Sequence, residues 1–381
     1  MPASRYAVAV DQHVDESLSH DLVELEVTEG LEAPSRFVVR FVVDACEGGV
    51  QHVDDERLLP DREGGLLSVL VDVEGTLHCL AHGPITERRI VLRRGIAGST
   101  LELEGRDRSV LLDRVEAASV ATELALDHGQ ATRELLGSVF SSVDVRDTDR
   151  ARSERDHPVR PTGSVLSVLR QIVGLHGVRM RVGAVATRAG DRIRVTDTAI
   201  VAAMPPRSDG DAPVSLVPTS ARRSLHVSGD DTCRALDGFE IQERGEARNR
   251  GVTLSGIDLR RPAEARTGGV ERTAERPLGG ASVGGGSTSR VATPPLRAGS
   301  LEERQAALQS ALDDDAWFIS ARAETSVDSF GDVVRPTDVV DVRGAGRLYS
   351  GPYYVRGVVH RVDRSGHRMT LDLMRNARGG E

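Results

Sequence analysis

Gly280-Ala281-Ser282-Val283-Gly284 has the Gly-x-Ser-x-Gly form of a hydrolase nucleophile elbow. In such an elbow a strand delivers the serine onto a strained turn that opens a helix. Here the pentapeptide lies in a Gly-, Pro- and Ser-rich stretch with no strand before it, so nothing supplies the strain and Ser282 is not assigned as a nucleophile. His78-Cys79-x-x-His82 has the residue types of a metal site, but strand alternation sends His78 and Cys79 to opposite faces. The carboxylate run Asp313-Asp314-Asp315 has no matching ligands elsewhere and reads as a solvated surface rather than a Mg or Ca site. Gly344-Ala345-Gly346 runs into Arg-Leu-Tyr, not into the third glycine of a dinucleotide loop. His360 sits in a strongly alternating stretch, where a hydrogen-bonded structural histidine is expected. No catalytic, cofactor-binding or metal-binding residue is therefore assigned, and no cofactor is expected.

What is missing prunes further. All 49 basic residues are arginine, and there is no lysine. A P-loop needs its Gly-Lys-Ser/Thr ending and a Schiff base needs an amine, so both classes are excluded. Cys46, Cys79 and Cys233 stand far apart without a Cys-x-x-Cys pair, and are expected to be small buried hydrophobes. A net charge of -9 argues against a nucleic-acid surface. No apolar run approaches the roughly 20 residues that span a bilayer, and the N-terminus has no signal-peptide pattern, so the chain is expected to be cytoplasmic when made.

The elements that would carry any site are mostly strands. With 39% hydrophobic and only 3% aromatic residues, the core must be built from Val, Leu, Ile and Ala. Val23, Leu25 and Val27 alternate with Glu24 and Glu26, Phe37 to Val43 show a second period-two face, and Leu101 and Leu103 alternate with Glu102 and Glu104. Residues 1–114 are thus expected to form a first β domain, a small sandwich or barrel. From 115 to 225 the pattern turns α+β: helical segments at 117–126 and 132–140, a helix capped by Ser164 and stopped by Gly177, and a short hairpin over 178–182 and 191–196. Residues 226–381 return to strands, interrupted by a Gly/Pro-rich linker at 262–299 and a helix at 301–318 that opens on the capping box Ser300-Leu301-Glu302-Glu303.

The last domain repeats the first. Val71-Asp72-Val73-Glu74-Gly75 is echoed by Val340-Asp341-Val342-Arg343-Gly344, Gly83-Pro84 by Gly351-Pro352, and Ser99-Thr100-Leu101-Glu102-Leu103 by Met369-Thr370-Leu371-Asp372-Leu373. The order is kept and spacings drift by one or two residues, which implies a duplicated β module. The acidic members of the alternating strands, Glu24, Glu26, Glu102, Glu104 and Asp372, are expected to lay negative charge on the non-core face.

The run Gly331-Asp-Val-Val-Arg-Pro-Thr-Asp-Val-Val-Asp-Val-Arg-Gly, followed by Tyr349-Ser-Gly-Pro-Tyr-Tyr-Val-Arg-Gly-Val-Val-His-Arg-Val, resembles the phage late control D family. These are tail hub proteins of contractile phages and related contractile injection systems. Segments 238–260, 301–318 and 169–182 also look like pieces of that family. The resemblance implies a mainly β fold with an α+β insertion: two tube-like β-barrel domains related by duplication. It also implies a homotrimeric baseplate hub that adapts a sixfold tail tube to a threefold spike, with tube, spike and other baseplate proteins as partners. VgrG-like relatives carry the spike in the same chain, whereas this sequence is expected to need a separate one. The rival is a hub-associated hydrolase acting on peptidoglycan or through Ser282, but no positioned carboxylate pair is visible for it. A carbohydrate-binding role lacks aromatic platforms, since Trp317 is the single tryptophan.

Overall fold

The computed structural model describes residues 5–379 apart from 32, 44–51, 61, 63–64, 94–97, 125–126, 147–159, 190–191, 204–223, 228–235, 245–248, 258–264, 272–277, 279–289 and 292–316. The chain opens with β1 (Arg5–Val10) and β2 (His13–Asp15). Asp11 and Gln12 join them with positive φ, the twist a tight hairpin demands. Asp15 then caps the short α1 (Glu16–His20) by accepting from the Leu18 amide at 3.0 Å. The predicted alternating runs follow as β3 (Leu22–Gly30), β4 (Arg36–Val42), β5 (Leu67–Val73), β6 (Thr76–Gly83), β7 (Ile85–Val91) and β8 (Thr100–Arg106).

The α+β segment holds α2 (Ala117–Val120), α3 (His128–Gly137), β9 (Ser142–Val145), α4 (Val165–His176), β10 (Arg179–Ala189) and β11 (Arg192–Ala202). Ser164 caps α4 by accepting from Ser167, and Gly177 ends it with φ +60°, as the sequence implies. The helix expected at 117–126 ends at Val120, and the one expected at 132–140 starts earlier, because Asp127 caps α3 at His128. The hairpin is longer: β10 and β11 pair over eleven positions rather than five or six. Leu135, Leu136, Val165, Leu169, Ile172, Val178 and Val201 give this segment its own core.

The last domain contains β12 (Ser224–His226), β13 (Gly238–Glu243), β14 (Asn249–Ile257), β15 (Ala265–Glu271), β16 (Arg290–Val291), β17 (Ile319–Ser326), α5 (Val327–Phe330), β18 (Val339–Arg343), α6 (Gly346–Tyr349), β19 (Gly351–Asp363) and β20 (Gly366–Arg375). The expected linker at 262–299 needs correcting, since residues 265–271 pair antiparallel with β14. A strand ladder satisfies the backbone even where Gly268 and Gly269 offer no apolar side chains. The helix predicted at 301–318 falls on residues outside the described set up to 316; Trp317 and Phe318 lead into β17 without helical structure.

The two β domains merge into one sheet. Its path runs β13-β17-β20-β19-β3-β4-β8-β7, with every neighbour pair antiparallel. The path divides into two units with the same order of first, second, fourth and third strand: β3-β4-β8-β7 and β13-β17-β20-β19. The duplication is therefore visible in topology, and β19·β3 is the seam between copies. Registers agree in detail. Arg40 faces Glu102 and Glu24 in the first copy, while Arg322 faces Asp372 and Glu240 in the second. The echoed leucines Leu101, Leu103, Leu371 and Leu373 are all fully buried in a single core shared by both copies. At about 1.5–3 kcal/mol for each fully buried leucine, these four positions are a substantial part of what holds the copies together.

Candidate functional site

Three features gather polar groups: the motif residues, a buried junction between segments far apart in sequence, and the outer face and edges of the long sheet.

Among the motif residues, a bulge between Val69 and Leu70 leaves Leu80 unpaired on β6, so the simple alternation of His78, Cys79 and His82 is broken. His78 approaches Asp332 of the last domain at 3.2 Å. His82 accepts or donates to Ser68 at 2.7 Å and lies 3.6 Å from Asp197 of the inserted domain, and burial pushes its pKa down. Cys79 packs with Leu70, Ile193 and Val195, and burial pushes its thiol up to about 12. The three side chains thus diverge toward three surroundings. Among the described residues no group of three or more His, Cys, Asp or Glu is arranged to hold a metal. Ser282, Asp313, Asp314, Asp315, Cys46 and Cys233 lie outside the described residues. Gly344 and Gly346 take positive φ to form a turn before the single-turn α6.

The junction is centred on Glu29, which is 4% exposed at the end of β3. Arg181 reaches it from β10 at 3.1 Å, and Arg335 reaches it from the last domain. Arg181 also donates to the Pro336 carbonyl at 2.6 Å, and Arg335 donates to the Cys79 carbonyl. One carboxylate and two guanidinium groups therefore tie β3, β6, β10 and the segment after α5 together. His360, fully buried, stands 3.7 Å from Glu29 and 3.1 Å from His367. Burial, reinforced by Arg335 and the neighbouring His78, holds the His360 pKa well below its usual value. His367 is pushed down to about 2 by burial, with His360, Arg335 and His78 adding repulsion. Asp338 goes the other way, raised by burial to about 6 although it accepts from the Arg335 amide at 2.8 Å. The expectation of a structural His360 is met, but its partners on β3 and in the last domain could not be seen in sequence. These groups tie residues far apart in the sequence to one carboxylate.

On the outer face of the sheet the acidic rows do not form a negative surface as expected. Arg40 ion-pairs with Glu24 and with Glu102 at 2.7 Å, Arg36 with Glu104 at 2.5 Å, and Arg361 with Glu26 at 2.9 Å across the seam. Each acid along one strand meets an arginine on the next, a cross-strand relation that reading single strands cannot reveal. The ends of the path differ from the seam. Among the described residues β7 and β13 each pair on one side only, and Ile90 at 39% and Leu92 at 56% exposure are among the most exposed large hydrophobic residues described. No helix of the described residues is long and apolar enough to cross a membrane.

No family model and no curated protein sequence matches the chain. Solved structures do. A tail protein from Neisseria meningitidis MC58 is similar with a TM-score of 0.62 at 15% identity, covering 98% of this chain and 96% of that one. The 43 kDa tail protein of prophage MuSo2 from Shewanella oneidensis gives 0.61 at 11%, covering 97% and 98%. An E. coli protein described as a component of the type VI secretion system, with structural similarity to T4 bacteriophage tail proteins, gives 0.50 at 12%, covering 93% and 73%. The chain has the phage tail protein fold shared by these neighbours.

Proposed function

We propose that the chain is a structural hub of the baseplate in a contractile tail or contractile injection system, of the late control D kind. Three copies form a ring. One face meets the sixfold tail tube, and the other seats a threefold spike. The observation that carries this reading is the tandem repeat within one sheet: each chain supplies two four-strand units of identical order, and among the described residues β7 ends the path on one side and β13 on the other. Three such chains supply six similar units, and a head-to-tail contact closes into a ring under cyclic symmetry. The fold shared with tail proteins over nearly the whole chain supports the same reading. So does the buried Glu29 junction, whose groups tie distant parts of the chain into one rigid unit.

Light scattering coupled to gel filtration tests it. The expected mass at micromolar concentration is three times 40.9 kDa. A well-behaved monomer that stays monomeric with tube and spike proteins added would remove the reading.

A further inference from the structure

Between the end of β3, the turn that follows β8 and the α4–β10 pair lies an open-mouthed cavity of about 220 Å³. Most of its wall is apolar. Leu166, Leu169 and Val173 recur at the three- and four-residue spacing that keeps side chains on one helix face. Met180 and Val182 alternate onto one face of β10, and Leu31 completes the apolar lining.

The polar groups of the lining stand at two depths. Asp107 and Ser109 are only 7% and 2% exposed, whereas Arg170 on α4 is open to solvent at the rim. Asp107 accepts from the Ser35 amide with one carboxylate oxygen and from the Ser109 amide at 2.9 Å with the other, so each oxygen keeps acceptor capacity. The Ser109 hydroxyl has no hydrogen-bond partner among the described residues, a costly condition for a buried group. Arg181, which also lines the cavity, is committed to Glu29 and the Pro336 carbonyl. Arg170 makes no ion pair among the described residues and is the cation left for a ligand.

A single hydroxyl can donate to Asp107 and accept from Ser109 at once. Water alone does not suit the rest of the volume, because apolar walls give it no partners, and an apolar cavity of roughly 150 Å³ already takes a benzene ring. The geometry points to a small phenol carrying a carboxylate arm para to its hydroxyl. The ring lies between α4 and β10, the hydroxyl bonds Asp107 and Ser109 at the inner end, and the carboxylate meets Arg170 at the mouth. The para relation keeps the ligand's carboxylate away from that of Asp107. This site does not rest on the baseplate reading.

Calorimetric titration of the full chain with para-hydroxyphenylpropionate tests it. Binding is expected with a dissociation constant of about 1 mM or below, within reach of a ligand of this size. Phenylpropionate, which lacks the hydroxyl, and para-ethylphenol, which lacks the carboxylate, should each bind about tenfold more weakly. Ser109→Ala should weaken the hydroxy acid and leave phenylpropionate unchanged. Arg170→Met should weaken both acids and leave para-ethylphenol unchanged; because Arg170 is exposed, this variant is expected to fold even if Ser109→Ala does not. Equal affinity for the three compounds, no binding of any of them, or binding untouched by Arg170→Met overturns the assignment. Tighter binding of N-acetyltyrosinamide than of the free acid also overturns it, in favour of a tyrosine side chain from a protein partner.

Discussion

Arg181 of the inserted domain donates to Glu29 of the first β domain at 3.1 Å across 152 residues of chain, with both side chains almost completely buried. Glu29 is shared with Arg335, so three segments far apart in sequence meet on one carboxylate. Removing one partner of a buried pair strands the other charges in low dielectric, typically costing about 3–5 kcal/mol.

Arg181→Met should therefore cost on the order of 3 kcal/mol, the lower end, because Arg335 still compensates Glu29. Since the inserted domain has a core of its own, the loss should fall on coupling between domains. Urea unfolding followed by circular dichroism is expected to change from one transition toward two. A single unshifted transition would show that the pair holds nothing.

Acid should loosen the same region. His367 has its folded pKa pushed down to about 2, and His360 is lowered as well, against about 6.5 unfolded. Their stability contribution is full above pH 6.5 and is lost as pH falls below it, at up to about 1.4 kcal/mol per pH unit for each histidine. Asp338, raised to about 6, acts in the opposite sense between pH 6 and its ordinary carboxylate range, gaining stability as pH falls. Two histidines against one aspartate leave a net loss from pH 6.5 downward. Thermal melts from pH 7.5 to 4.5 should fall steadily, and His367→Leu should flatten the slope.

Glycine substitutions should separate two echoed positions. Gly351 has φ +127°, and a Cβ there would lie 2.8 Å from the Arg375 guanidinium. That arginine is fully buried and donates to the Ser350 carbonyl at 2.7 Å. Gly83 has no such dihedral, but its Cβ would sit 1.8 Å from the Arg106 carbonyl oxygen. Gly351→Ala is expected to cost about 2–4 kcal/mol through strain and displacement of Arg375. Gly83→Ala should not give soluble protein, because backbone cannot move aside as a side chain can. Equal, small losses in both would contradict this contrast.

Edge and core substitutions should part in the same way. Leu103→Asp or Leu373→Asp buries an unpaired charge and should lower stability by several kcal/mol in either copy. Ile90→Asp with Leu92→Asp changes exposed side chains, so the melting temperature of the isolated chain should barely move while the trimer is lost from gel filtration. A trimer that survives the double substitution would place the contact elsewhere.

Period-two runs such as Leu101-Glu102-Leu103 gave away their strands, because alternation along a strand is a local property. The echo at Leu371-Asp372-Leu373 likewise led to the duplication, which the registers around Arg40 and Arg322 bear out. β1 was not foreseen from the residues before Asp21, and the true length of β10 and β11 was hidden because their polar positions face solvent or other domains. The Glu29 junction was illegible for a different reason: Arg181, Arg335 and His360 come from distant segments, and only tertiary placement brings them to one carboxylate. The arginines that neutralise Glu24, Glu26, Glu102 and Glu104 sit on neighbouring strands, so acidity read along one strand overstated the charge of the face.

The two copies are not alike in every layer. Where the first has the β5-β6 hairpin folded into a four-stranded sheet with β1 and β2, the second has β18 followed by the single turn of α6, with β18 paired to β12 and β19. In the ring proposed above, the four-strand units of the long sheet would recur every half chain, whereas the β2-β1-β5-β6 sheet and the β12·β18 pair would recur once per chain. A subunit of that kind would carry two periodicities at once, one set by its matching units and the other by the elements in which they differ.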